Sequence, residues 1–169
     1  MREGIVKNDI YIKEVKIKFG KKEKIYIKYV EKGVDKTVED EDRATDDFYN
    51  VLRKLKKAGN RMLDFPYPVD TRIVITGAKF KWKDYKLQEV KLIGNYILKF
   101  SGVIEQKFFP KSYTETTEPH GFTSEEMDLL EDLQMQAIMY VQGVREQTNL
   151  FPINTPLLHK TEETNEKDE

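Results

Sequence analysis

Over long stretches of this chain apolar residues recur at every second position, with lysines filling many of the places between. Ile10, Ile12, Val15, Ile17 and Phe19 form one such run, and Ile25, Ile27 and Tyr29 form another. A third runs Val90, Leu92, Gly94, Tyr96, Leu98, Phe100. A period of two puts successive side chains on opposite faces of an extended strand, so each run has one apolar and one wet side. Strands of this kind belong to antiparallel sheets with one face covered and the other solvated. The phase slips at Lys13-Glu14, which predicts a β-bulge there. Gly20-Lys21-Lys22-Glu23 reads as a turn, making the first two runs a hairpin. Lys16, Lys18, Lys24 and Lys28 fall on its wet side.

Further strands are predicted at 73–82, 89–100 and 102–109. Lys83-Asp84-Tyr85 and Ser101-Gly102 separate them, and such short connections make antiparallel neighbours. Two stretches switch to helical spacing. Ala44, Phe48, Val51, Leu52 and Leu55 mark a helix beginning near Thr45, with Asp46 and Asp47 in its first turn and Arg53, Lys54, Lys56 and Lys57 near its end. That order suits the helix dipole, and Gly59-Asn60 is the expected stop. Thr123 and Glu126 form a capping box, with Phe122 and Met127 as its hydrophobic staple. Met127, Leu130, Leu133, Ala137, Val141 and Val144 give the apolar stripe that follows. Val34 to Asp42 reads as a polar, acidic connector, and Asp64-Phe65-Pro66-Tyr67-Pro68 as an irregular linker. The element order ββα-βββ-α predicts an α+β fold: an antiparallel sheet of about five strands with two packed helices. One domain is expected over 1–145, followed by a disordered tail over 146–169.

With no cysteine, the chain has no disulfide framework, no thiolate metal site and no Cys nucleophile. No apolar run reaches membrane-spanning length, and Met1-Arg2-Glu3-Gly4 opens no signal-peptide core, so a cytoplasmic protein is expected. His120 and His159 have no ligand-type neighbours at metal spacing, and no phosphate-loop, dinucleotide or nucleophile-elbow motif occurs. No catalytic residue, metal or cofactor is therefore indicated. Charge is uneven along the chain. Residues 1–111 carry 26 Lys and Arg against 17 Asp and Glu, a net of +9, whereas 112–169 carry 3 against 13, a net of −10. A basic body can meet phosphates, and an acidic end can shield it or repel nucleic acid.

The segment Gln147-Thr148-Asn149-Leu150-Phe151 resembles the Q-x-x-L-F peptide with which bacterial and phage proteins hold the DNA-polymerase sliding clamp. The resemblance implies that Gln147 would bond at a pocket rim while Leu150 and Phe151 fill adjacent apolar pockets, with micromolar affinity expected of so short a peptide. Thr148 and Asn149 depart from the commonest middle residues of that motif. A Lys-rich β domain, a Phe-Thr-Ser-Glu-Glu-Met helix start and this ending together look like small proteins of phage replication and recombination gene clusters. The leading expectation is a non-enzymatic accessory protein of DNA replication or recombination whose tail docks on the clamp.

A second expectation is a single-stranded nucleic-acid-binding module. Lys24, Tyr26 and Lys28 in the first hairpin, and Lys79, Lys81, Lys83, Tyr85 and Lys86 in the second, interleave ammonium groups with rings, as single-strand binders do. Alternation sets Phe80 and Trp82 opposite the lysines, which leaves Tyr26 and Tyr85 as the rings expected in water. A third reading rests on Pro68-Val69-Asp70 followed by Glu89-Val90-Lys91. This resembles the P-D…(D/E)-x-K pattern of Mg²⁺-dependent nucleases but lacks a proline directly before the aspartate. A fourth, an acidic helix that inhibits a host DNA-binding protein by mimicking nucleic acid, rests on the charge asymmetry alone.

Overall fold

A computed structural model of the chain describes residues 2–63, 73–98, 102–108, 110–116, 118 and 121–145. The Asp64–Pro68 linker, Asp70, His120, His159 and the clamp-type peptide with Gln147, Leu150 and Phe151 lie outside the described residues. The fold is α+β.

Seven strands form one sheet in which every strand pairing is antiparallel: β1 (Ile10–Lys18), β2 (Lys24–Glu31), β3 (Val34–Asp40), β4 (Ile73–Lys83), β5 (Lys86–Leu98), β6 (Gly102–Lys107) and β7 (Lys111–Ser112). The order across the sheet is β3-β2-β1-β4-β5-β6, with β7 also on β5. The bulge expected at Lys13 is present, since the β1–β2 register shifts between Ile12 and Glu14. Two strands go beyond the expected five. β3 occupies the stretch read as an acidic connector. Its residues are mostly exposed, so it lacks the apolar alternation that marks a strand with one buried face. What makes it a strand is the Lys32-Gly33 turn, whose two residues both have positive φ (51° and 78°), the geometry of a two-residue hairpin. The two-residue β7 is too short to leave a pattern.

The two β units meet where β1 pairs with β4, through three residue pairs: Glu14/Lys79, Val15/Ala78 and Lys16/Gly77. Gly77 permits that approach, because a Cβ there would lie 2.0 Å from the Val15 carbonyl oxygen and 2.6 Å from the Lys16 Cα.

Three helices cover one face of the sheet: α1 (Asp46–Lys54), α2 (Lys56–Leu63) and α3 (Ser124–Val141). The predicted first helix is thus α1 and α2, separated at Leu55. The Leu55 N–H still bonds to the Val51 carbonyl and the Gly59 N–H to that of Leu55. The helical segment therefore runs past Gly59-Asn60 instead of stopping there. Gly59 serves packing: a Cβ on it would approach Ile75 Cδ1 to 2.7 Å and Phe108 Cζ to 3.3 Å. The capping box of α3 forms as expected, with both its hydrogen bonds made. Met127, Leu130, Leu133 and Ala137 are fully buried, whereas Val144 lies beyond the helix and is 40% exposed.

Beneath the helices, Ile12, Val15, Ile25, Ile27, Ala78, Phe80, Val90 and Leu92 close the core with Phe48, Leu52, Leu55 and Ile138. Each large apolar side chain buried there contributes about 1.5–3 kcal/mol. The opposite face of the sheet carries Tyr11, Lys16, Lys18, Lys24, Tyr26, Lys28, Lys79 and Lys91, and no described helix lies over it.

Candidate nucleic-acid interface

Along this uncovered face most lysines have a carboxylate beside them. Lys18 donates to Glu39 at 2.9 Å, with Lys24 3.9 Å from the same side chain. Lys13 meets Asp35 at 3.0 Å, and Lys81 meets Glu89 at 3.3 Å. The Lys18 hydrogen bond, followed by the charges of Lys18, Lys24 and Lys16, holds the Glu39 carboxyl below the ordinary carboxylate range. Tyr26 is half-buried, with the Lys18 ammonium 4.3 Å and the Lys16 ammonium 5.6 Å from its ring centre. The β2 end of the face is thus a neutralised lattice. Its ring, read from the sequence as open to water, is covered by lysine.

The β4–β5 end is different. Lys79 and Lys91 are direct cross-strand partners, and neither has an ion-pair or hydrogen-bond partner among the described residues. Glu14, which flanks Lys79 on β1, turns instead to Lys16 at 3.6 Å. Like charges directly opposite in a sheet are destabilising. The comparable pair Lys18/Lys24 is relieved by Glu39; Lys79/Lys91 has no such relief.

Next to this pair stands an aromatic cluster. β1 and β4 diverge beyond their three pairs, and Trp82 bridges the gap by donating its indole N–H to the Ile12 carbonyl at 2.7 Å. The Tyr11 ring lies 4.9 Å from that of Trp82 and 6.3 Å, edge-on, from that of Tyr85. Tyr85 occupies the second position of the two-residue Asp84-Tyr85 turn, at φ +62°, and its side chain is 75% exposed. An L-residue with a bulky side chain is disfavoured in that conformation, where glycine or asparagine is preferred. Tyr11, Lys13, Lys79, Lys81, Trp82 and Lys91 line a cleft of about 500 Å³ at this end. Lys83 and Lys86, cross-strand partners, flank the turn.

The structure therefore brings Lys79, Lys81, Lys83, Tyr85 and Lys86 to the β4–β5 end, and sets Lys24, Tyr26 and Lys28 at the other part of the face, where Glu39 pairs with Lys18 and Lys24. Phe80 is buried in the core. The sequence reading missed Tyr11 and Lys13, which reach the cleft through the long-range β1–β4 pairing. A sequence signal for Tyr11 existed: an aromatic at a polar-phase position between Ile10 and Ile12. Lys91, which the sequence placed in the nuclease-like Glu89-Val90-Lys91 and at the end of the basic 79–91 region, lies on the cleft with Glu89, whose carboxylate holds Lys81. Among the described residues no group of His, Asp and Glu is arranged to hold a metal ion, and no helix is long and apolar enough to cross a membrane.

The exposed acidic side of α3 is partly occupied. Arg2 bonds to Asp128 at 2.5 Å and lies 3.7 Å from Glu131. Compared with protein-family models, curated proteins and solved structures, the chain finds no match in any of the three.

Proposed function

We propose that this protein is a non-enzymatic accessory factor of nucleic-acid metabolism whose Tyr11–Trp82 cleft, with Tyr85 on the adjoining turn, holds a single-stranded nucleic acid. The observation that carries this reading is the unrelieved Lys79/Lys91 pair beside an aromatic cluster. Two ammonium groups without carboxylates suit a phosphate, and rings at the same edge suit unpaired bases, which stack with little regard to sequence. Trp82 is the single tryptophan of the chain, so its fluorescence reports on the cleft. Titration with a short single-stranded oligonucleotide should quench it, with affinity falling steeply as salt rises. Lys79→Gln with Lys91→Gln should flatten the logarithmic salt slope by about two, one for each phosphate no longer neutralised. Unquenched fluorescence, or binding indifferent to salt, would overturn the reading.

A second reading rests on Gln147, Leu150 and Phe151. By their resemblance to the Q-x-x-L-F peptide they would dock the protein on a bacterial sliding clamp and bring the basic domain to replicating DNA. Leu150→Ala combined with Phe151→Ala should abolish clamp binding in a surface-bound assay and leave the fold unchanged. Equal binding by the variant would remove this reading.

A further inference from the structure

At the other end of β4, a trough runs from the last described residue of the chain into the body of the domain. Arg145 is anchored just past α3. Its guanidinium stacks 3.4 Å from the Tyr140 ring centre and pairs with Asp40 at 3.6 Å and Asp42 at 4.0 Å. Asp42 lies on the wall of a hollow of about 380 Å³, which shares Glu23, Arg43 and Tyr49 with a deeper cleft of about 530 Å³. The deeper cleft lies between the end of β1, α1 and the start of β4. Its lining includes Ile17, Phe19, Leu52, Ile73 and Val74, and Phe19 and Val74 are 56% and 43% exposed.

We infer that this cleft receives the chain's own C-terminal segment, with Leu150, Phe151 and Ile153 as its apolar anchors. Three observations select this occupant. The described chain ends at Arg145, which pairs with Asp42 on the hollow's wall, and the five residues 146–150 can span about 17 Å when extended. The segment's chemistry matches the lining: between Glu146 and Pro156 it bears one charge, that of Glu146, and three large apolar side chains. The cleft offers apolar walls to those side chains, with Glu23, Arg43, Arg53 and Lys56 around them. The inference does not depend on what the Tyr11–Trp82 cleft binds. It implies that Leu150 and Phe151 are available to a clamp only after leaving their own domain.

The cysteine-free sequence makes a direct test simple. In the full-length protein, Val74→Cys is combined with Asn149→Cys and treated with a short bismaleimide at low protein concentration. A control pairs Asn149→Cys with Lys83→Cys, about 30 Å away along β4. Docking should make intramolecular coupling to Val74→Cys at least about tenfold faster than to Lys83→Cys, because the docked segment is held at high effective concentration. Adding Leu150→Ala and Phe151→Ala should bring the rate down to that of the control. Equal rates for the two pairs would overturn the inference and leave the cleft to another segment. Coupling that yields covalent dimers instead would overturn it in favour of a second copy of the chain.

Discussion

Tyr85 is the residue whose placement costs most locally. A β-hairpin turn of this type favours glycine where Tyr85 sits at φ +62°, yet the position holds a large ring 75% exposed to water. Tyr85→Gly should therefore stabilise the fold by about 1 kcal/mol, measured by the urea midpoint. It should also weaken single-strand binding about tenfold, the loss of one stacking partner. A structural role for the ring would move stability the other way, and unchanged binding would remove Tyr85 from the interface. Tyr85 was legible in the sequence because a turn residue between lysines on a polar-phase segment has little to pack against. The Trp82 ring was not, since its indole N–H reaches a carbonyl 70 residues away in sequence.

Among the elements, α2 and α3 are tied by charge. Arg61 holds the Glu126 carboxylate through both of its terminal nitrogens, and its Nη2 also donates to the Gly121 carbonyl at 2.6 Å. The backbone N–H of Thr123 donates to the same carboxylate at 3.0 Å. Burial opposes ionisation of Glu126, but the Arg61 and Thr123 hydrogen bonds outweigh it and hold the carboxyl below its ordinary range. A carboxyl with a depressed pKa in the folded state stabilises the fold above its unfolded value. That stability is lost as pH falls through the folded value. Thermal stability should accordingly drop below about pH 4.3, the ordinary glutamate value. Glu126→Gln should be less stable at pH 7 and show less of that acid loss. A pH profile parallel to that of the unaltered protein would refute this assignment. The capping box itself was legible from Thr123 and Glu126. Arg61 as their partner was not, because Gly59-Asn60 reads as a helix end in sequence and only packing against Ile75 and Phe108 shows what Gly59 is for.

Across the whole molecule, hairpins and helices could be read from periodicity, because each is local and one-sided. The joint between the two β units could not. Glu14 and Lys79 stand 65 positions apart, and neither neighbourhood carries a pattern that names the other. Nor could β3, whose mostly exposed residues carry no apolar alternation and whose ion pairs, such as Asp35 with Lys13 and Glu39 with Lys18, are made to other strands. Gly77 is where this long-range arrangement rests on one residue. Gly77→Ala would drive a methyl into the β1 backbone and should cost about 3 kcal/mol or more, read as a lowered urea midpoint. A loss below about 1 kcal/mol would mean that β1 and β4 can separate without consequence.

The shortness of that joint also sets an order in time. Hairpins close over few residues and form within microseconds, whereas a pairing that spans 65 positions must first overcome the entropy of a long loop. The cleft has walls from both sides of the joint, Tyr11 and Lys13 from one and Lys79, Trp82 and Lys91 from the other. It therefore comes into being only when the β1–β4 pairing is made. A chain without that pairing would have the lysines and the rings but no place between them, so ligand capture at this cleft doubles as a reading of whether the two β units have joined.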